Sequence, residues 1–192
     1  MKSILISIKP EWVALILNGD KTIEIRKTMP KCELPIKCYI YCAKSGTPIH
    51  PDINGKVVAE FVLNKITKHE KNYIDVEDRL CYDFLYEDVK KAGFVTSVMD
   101  EWEKLDGLRG FDNFVENYGN GKPLYCWYID NLKIYDKPKE LEEFYKQGTY
   151  SYSDWLYGYY NGHRGARCNY NSYLNVCRIK KPPQSWCYVE EV

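Results

Sequence analysis

The chain has 192 residues, of which 45% are hydrophobic, so it can bury a core without disulfides or a structural metal. Its 27 Lys and Arg residues balance 27 Asp and Glu residues, which excludes a global positive field that would attract nucleic acid. Any such binding must come from a local patch, and the basic excess lies in residues 1–68, with 11 basic against 6 acidic side chains.

Strand-like segments dominate the first third of the chain. Residues 4–8 form a β-branched run that is typical of a buried strand. Pro10 suits the first turn of a helix, and Gly19 is suited to end it. We predict three further strands over residues 22–27, 36–43 and 56–63.

The rest of the chain changes character twice. Residues 69–106 carry 11 acidic against 5 basic side chains and read as helical. We predict an acidic helical insertion over about 70–120, with helices near 98–105 and 112–118. An aromatic strand region at 124–135 and a short helix at 139–146 follow. The chain then has an irregular Tyr-rich insertion over about 145–180 and a last strand at 185–190.

These elements predict one domain over residues 1–192, of the α+β class. A strand, a helix, a strand and then mostly strands are compatible with a small mixed β-barrel whose ends are covered by helices. An open α+β sheet is the alternative that composition alone leaves open.

The cysteines indicate a reducing environment. Eight occur, at 32, 38, 42, 81, 126, 168, 177 and 187, and none forms a C-x-x-C pair or another standard zinc spacing. We find no secretory segment and no apolar run that could span a membrane. We therefore expect a cytoplasmic protein with packed thiols, no metal site, no cofactor and no membrane contact.

The segment GDKTIEIRKTMP, residues 19–30, concentrates charge where a strand is predicted. Side chains alternate faces along a strand, so Ile23 and Ile25 point one way. Thr22, Glu24 and Arg26 point the other way.

Two interpretations of that polar face are open. Glu24 and Arg26 form a surface ion pair of little energetic value, or they line a recessed site that Lys21 and Lys9 also reach. In a recessed site, Arg supplies a planar fork for phosphate or a base edge, and Glu accepts a hydrogen bond from an exocyclic amine.

These residues also match a known family signature. The sequence SIKP at 7–10, followed by G-x-K-T-x-E-x-R-K-x-x-P at 19–30, closely resembles the ASCH domain, a family of the PUA-like superfamily of small β-barrels. Three further segments are similar to family strands: GKVVAEF at 55–61, YIDNL at 128–132 with KP at 137–138, and PPQSWCY at 182–188.

The resemblance implies a PUA-like barrel that binds RNA or a nucleotide-like ligand in a polar cleft. Carried over to this sequence, it implicates Lys9, Lys21, Thr22, Glu24 and Arg26 as binding residues. The C-terminal motif adds Ser185 and Trp186, and we expect Trp186 to cover one end of the cleft.

Some small family members are amidohydrolases that act on acetylated cytidine and use a K-T-x-T-x-R pattern. Lys21 and Arg26 match that pattern, but Glu24 occupies the position of the second Thr. A carboxylate cannot replace a hydroxyl nucleophile, so in an enzyme Glu24 would act as a base on water beside Lys21. A ribonuclease that uses the same cleft is a further alternative.

A second candidate surface lies in the Tyr-rich insertion. Arg164 and Arg167 occur in the Gly-rich segment 161–167, between tyrosines on both sides. Arginines among aromatic residues suit single-stranded nucleic acid through phosphate pairing and base stacking. The alternative is that this insertion packs against the barrel.

The sequence therefore predicts a module that binds RNA or a nucleotide-like ligand. The alternatives are a hydrolase that uses the same cleft and a protein-interaction module that works through the acidic residues 70–106.

Overall fold

The computed structural model describes residues 3–45, 51–69, 91–92, 117–146, 155–156, 159–161, 171 and 177–191. The described elements are, in chain order, β1 (Ser3–Ile8), α1 (Pro10–Leu17), β2 (Ile23–Arg26), β3 (Ile36–Cys42), β4 (Val57–Leu63), β5 (Ile66–His69), β6 (Leu124–Tyr128), β7 (Asp130–Lys139), the 3-10 turn η1 (Leu141–Glu143), β8 (Phe144–Lys146) and β9 (Trp186–Glu191).

The strands form two sheets. The larger has the order β7-β4-β3-β1-β9-β8, and the smaller has the order β2-β6-β5. Strand β1 runs parallel to β3 and antiparallel to β9, so it lies inside the large sheet. The chain crosses from β1 towards the small sheet through α1, which Pro10 opens at its first position.

A main core joins the two sheets. Ile4, Ile6 and Ile8 from one face of β1 pack in the same buried cluster as Val13 of α1 and Trp127 of β6. The alternation of side chains along a strand puts these three isoleucines on one face.

The opposite face of the large sheet carries a second cluster. Leu5, Tyr39 and Tyr41 point into it, and Leu141 and Phe144 close it. Because β1 is covered on both faces, it reads as a continuous apolar run rather than as an alternating one.

The expected α+β class is confirmed, whereas the expected barrel is wrong for the described strands, which remain two separate sheets. The predicted helix at 139–146 is also wrong, because that segment contains the end of β7, η1 and β8. Glu140 and Glu143 do form a reciprocal capping box, yet it supports only one 3-10 turn before Phe144 enters the core.

The predicted aromatic strand at 124–135 is two strands, β6 and β7, and β5 is a strand that the sequence did not indicate. The last strand is confirmed at Trp186–Glu191. The helix expected at 98–105 and most of the Tyr-rich insertion lie outside the described residues. Of the helix expected at 112–118, only residues 117 and 118 are described, and both are helical. In the described part of the chain, no helix has the length and apolar character needed to cross a membrane.

Candidate functional site

The turn after α1 fixes the position of Lys21. Gly19 adopts a φ of 83°, which a glycine tolerates without strain, and the chain reverses there. The Lys21 amide then donates to the Leu15 carbonyl at 3.0 Å. Its side chain is only 4% exposed, and its ammonium donates to the Ala92 carbonyl at 2.7 Å and lies 5.2 Å from the centre of a Trp12 ring.

Burial of the Lys21 ammonium lowers its pKa below the ordinary value, because the charged form loses its hydration. The negative charge of Glu24 opposes this effect and favours the charged form. Lys21 is therefore a buried amine whose charge depends on one neighbouring carboxylate.

Glu24 bridges two cations. Its Oε2 lies 3.6 Å from the Lys21 ammonium, and its Oε1 lies 3.2 Å from Arg26 Nη2. We call Lys21, Glu24 and Arg26 the charge cluster. Its formal charges sum to one positive unit.

The charge cluster faces the main core. Glu24 lies directly opposite Trp127 in the β2–β6 pair, so both side chains are on the same face of the small sheet. Glu24 and Arg26 are 8% and 7% exposed, which is incompatible with an ion pair on the surface. Ile23 and Ile25 are buried on the other face of β2.

Arg26 connects the charge cluster to the large sheet through hydrogen bonds. Its Nη2 donates to the Ser7 carbonyl of β1 at 2.7 Å, and its Nη1 donates to the Ser185 hydroxyl at 3.3 Å. The Ser7 amide donates to the Ser185 carbonyl at 2.9 Å, and the Ser7 hydroxyl donates to the Pro183 carbonyl at 2.8 Å. The third donor, Arg26 Nε, is buried and meets no acceptor in the part of the chain that the structure describes.

Aromatic rings stand beside the cluster. The Trp127 and Trp186 rings lie 5.6 Å apart, and Trp186 contacts Tyr188 edge-on at 5.5 Å. Trp186 Nε1 donates to the Thr28 hydroxyl at 3.0 Å, which fixes the indole against the end of β2. Trp186 is only partly buried.

The structure brings together some of the predicted binding residues and separates others. Lys21, Glu24, Arg26 and Ser185 are in contact, and Trp186 lies next to them. The Lys9 side chain is 64% exposed, with its ammonium 3.9 Å from the Glu11 carboxylate, so it is not part of the buried group.

The structure does not place the other predicted binding residues, Thr22, Arg164 and Arg167, in the buried group. Thr22 precedes β2 and its side chain is exposed, rather than sharing the buried face with Glu24 and Arg26. Arg164 and Arg167 lie outside the described residues.

Four groups at the site were not indicated as functional by the sequence. Ser7 belongs to the SIKP motif, but its carbonyl, not its side chain, receives Arg26. The Ala92 carbonyl is likewise a main-chain group, which no side-chain pattern reveals. Thr28 and Trp127 carry a weak signal, since Thr28 follows the charged strand segment and Trp127 lies in the aromatic strand region.

The donor set does not indicate a metal. Among the described residues, no three His, Cys, Asp or Glu side chains are grouped closely enough to hold an ion. Cys32, Cys38, Cys42, Cys177 and Cys187 are free thiols.

Two sheets joined by a buried Lys–Glu–Arg cluster define a small α+β domain with a polar centre. The ASCH domain family matches residues 6–171, and the chain belongs to that family, which confirms the resemblance of the sequence motifs. A comparison with curated proteins gives no match.

Among solved structures, the chain is similar to the ASCH protein ZmASCH of Zymomonas mobilis, with 16% identity over 98% of this chain and 87% of that chain and a TM-score of 0.43. A point variant of the same protein gives 16% identity, 99% and 91% coverage and a TM-score of 0.46. The N-terminal domain of Staphylothermus marinus McrB is similar at 9% identity, with 72% and 76% coverage and a TM-score of 0.41. Likeness at this level adds nothing to the family assignment.

Proposed function

We propose that this ASCH domain binds RNA, or a nucleotide-like ligand, where the charge cluster meets Ser185 and Trp186. The observation that carries the proposal is the net positive charge of the buried cluster, together with an Arg26 Nε that meets no described acceptor. An uncompensated buried charge costs several kcal/mol, of the order of 3–5. An anionic or carbonyl group of a ligand would offset that cost.

The chemistry of the surrounding groups supports a nucleic-acid component. The Arg26 guanidinium reaches the Ser185 hydroxyl, next to Trp186, so one charged donor group and one stacking surface lie close together. Glu24 is able to accept a hydrogen bond from an exocyclic amine. A base is the common ligand that presents a flat ring, a carbonyl and an amine together.

Exposed residues around the cluster would hold the phosphates. Lys9 directly follows β1, two residues after the Ser7 carbonyl that Arg26 contacts, and Thr22 directly precedes β2. We assign Lys9 and Thr22 to contacts with the sugar-phosphate backbone of the ligand. We also propose Arg164 and Arg167 as phosphate ligands, from the sequence pattern of arginines among tyrosines alone.

Filter binding of a single-stranded RNA 12-mer tests the proposal. Lys9→Ala should weaken binding and reduce the dependence of log K on log salt by about 0.7, the value for one phosphate contact on a single strand. Lys133→Ala is the matched control, because its side chain is 71% exposed and its ammonium also lies 3.9 Å from a glutamate. Equal affinities for the two variants would count against the proposal.

Buried variants provide the second arm of the test. Lys21→Met removes a charge while it keeps most of the side-chain volume, and circular dichroism establishes that the variant is folded. A folded Lys21→Met protein should bind the 12-mer at least about tenfold more weakly than the wild type, as expected for loss of one charged contact. Undiminished binding would show that the cluster serves only the fold.

A hydrolase is the second candidate function, because burial lowers the pKa of Lys21 beside Glu24 and so favours proton exchange. Incubation with acetylated cytidine and with labelled RNA, followed by chromatography, tests for turnover. Turnover that is lost in both Glu24→Gln and Lys21→Met would establish the enzyme. Turnover that survives in the double variant would assign it to a contaminant.

A further inference from the structure

A cleft of about 520 Å³ opens on the face of the large sheet that carries the second core. It lies at the carboxyl end of the parallel pair β1–β3, where Ser7 and Tyr41 are partners in register. Its volume is in the range of small-molecule sites.

The floor of the cleft is apolar and rigid. Tyr41 and Leu141 are buried in the second core, and Pro183 is fixed by the hydrogen bond from the Ser7 hydroxyl to its carbonyl. Together they give the cleft an apolar side of ring and aliphatic carbon. An aromatic ring can pack against such carbon.

The rim carries two cations, Lys44 and Lys180, and two carboxylates, Glu140 and Glu142. Lys44 and Lys180 line the cleft and are exposed, so their ammonium groups are hydrated and able to meet an anion. The Lys44 stem lies across Gly55, where a Cβ would come within 2.5 Å of its Cε. This close approach and the Gly55 φ of 87° explain why residue 55 is a glycine, and the contact holds Lys44 at the cleft.

Glu142, in η1, is one of these carboxylates: it lines the cleft and is exposed. The other rim carboxylate, Glu140, is paired with Lys56 at 2.7 Å. Glu142 is therefore the acceptor that we assign to a ligand amine.

We infer that this cleft binds a nucleoside monophosphate whose base carries an exocyclic amine. The base lies against Tyr41, Leu141 and Pro183, and its amine donates to Glu142. The phosphate pairs with Lys44 and Lys180. This is a second site, lined by side chains of the second core, and it adjoins the charge cluster at Ser7, whose carbonyl receives Arg26.

Calorimetric titration of the full chain with adenosine 5′-monophosphate tests the inference. Binding should weaken about tenfold or more in Lys44→Ala and in Lys180→Ala, as expected for the loss of a charged hydrogen bond. Lys133→Ala, on β7, should bind like the wild type. No heat at millimolar nucleotide, or equal binding by all three variants, would overturn the inference.

Inosine 5′-monophosphate is the matched ligand, because it replaces the amine with a carbonyl oxygen. The wild type should prefer the adenosine nucleotide, and Glu142→Gln should abolish that preference, because an amide both donates and accepts. Equal affinity of the wild type for the two nucleotides would overturn the assignment of the amine.

A competition separates this inference from the proposed function. Titration in the presence of saturating RNA 12-mer should leave nucleotide affinity unchanged, since the two sites are lined by different side chains. Displacement of the nucleotide by RNA would show that both occupy the charge cluster and would overturn the second site. If the 12-mer does not bind, the titrations with Lys44→Ala and Lys180→Ala still decide the matter.

Discussion

Arg26 on β2 and Ser7 on β1 join the two sheets through one charged hydrogen bond, from the Arg26 Nη2 to the Ser7 carbonyl at 2.7 Å. The two residues are separated by α1 and its turn, so this contact closes the unit that the SIKP and G-x-K-T-x-E-x-R motifs form. Because Arg26 also contacts Glu24 and Ser185, it is the residue on which the geometry of the cluster depends.

Replacement of Arg26 should destabilise the fold in a graded way. Arg26→Leu leaves Glu24 and the Ser7 carbonyl without this donor, and we expect it to lower the free energy of unfolding by about 3–5 kcal/mol. Arg26→Lys keeps the charge but loses the fork, so its loss should be smaller. Urea denaturation measures both. Equal losses for Lys and Leu would show that the fork geometry is unimportant.

Glu24→Gln should destabilise the protein more than Lys21→Met. The first change leaves two buried cations, those of Lys21 and Arg26, without their counter-charge, whereas the second leaves a balanced Glu24–Arg26 pair. We expect a loss of about 3–5 kcal/mol for Glu24→Gln. The ranking comes from urea midpoints at pH 7, and the reverse order would contradict the described charge balance.

The strands of the first third and the identity of the buried triad are largely predictable from the sequence. Apolar runs at 4–8, 36–43 and 56–63 predict β1, β3 and β4 because their side chains have few alternatives to burial. The family motif also names Lys21, Glu24 and Arg26. Their burial was not predictable, because alternation along β2 places them on one face without saying what covers that face.

Three features of the structure were not predicted from the sequence, and each has a physical reason. The segment that contains Glu140 and Glu143 has helical spacing and a capping box, but the burial of Phe144 against Tyr39 and the pairing of β8 with β9 override it. Strand β5 is four residues long and has only one strongly apolar residue, Ile66. The Lys9 side chain is exposed because its position lies beyond the end of β1, where alternation no longer applies.

The lowered pKa of Lys21 predicts a difference in pH dependence. In the window between its folded pKa and the ordinary value of 10.5, the unfolded chain binds more protons at this group than the folded chain. Stability from this group therefore rises with pH across that window. The free energy of unfolding of the wild type minus that of Lys21→Met should rise as the pH approaches 10.5. A flat or falling difference would contradict the burial of a charged Lys21.

The thiols should differ in reactivity. Burial raises the pKa of the Cys42 thiol to about 11, with a contribution from Glu11, and raises that of Cys38 further. At pH 8 a thiol of that pKa supplies roughly a hundredfold less thiolate than an ordinary cysteine. Alkylation followed by peptide mass spectrometry should modify Cys32 before Cys38 and Cys42, and all three alike in urea. Early modification of Cys42 in the folded protein would contradict the packing of β3.

Trp186 and Thr28 should be energetically coupled. The indole donates to the Thr28 hydroxyl at 3.0 Å, so Trp186→Phe and Thr28→Ala remove the same hydrogen bond. A double-mutant cycle in urea should give a coupling of about 0.5–1.5 kcal/mol. Additive effects would show that the indole is not anchored at this position.

The most direct test of the proposed function is to find where RNA touches the chain. A 12-mer that carries a photoreactive uridine is cross-linked to the protein, and the modified peptides are identified by mass spectrometry. We predict cross-links on peptides that contain Trp186 or the segment around Lys21 and Arg26, and their loss when unlabelled 12-mer competes. Cross-links confined to other described strands, such as β7, would contradict the assignment of this site to RNA.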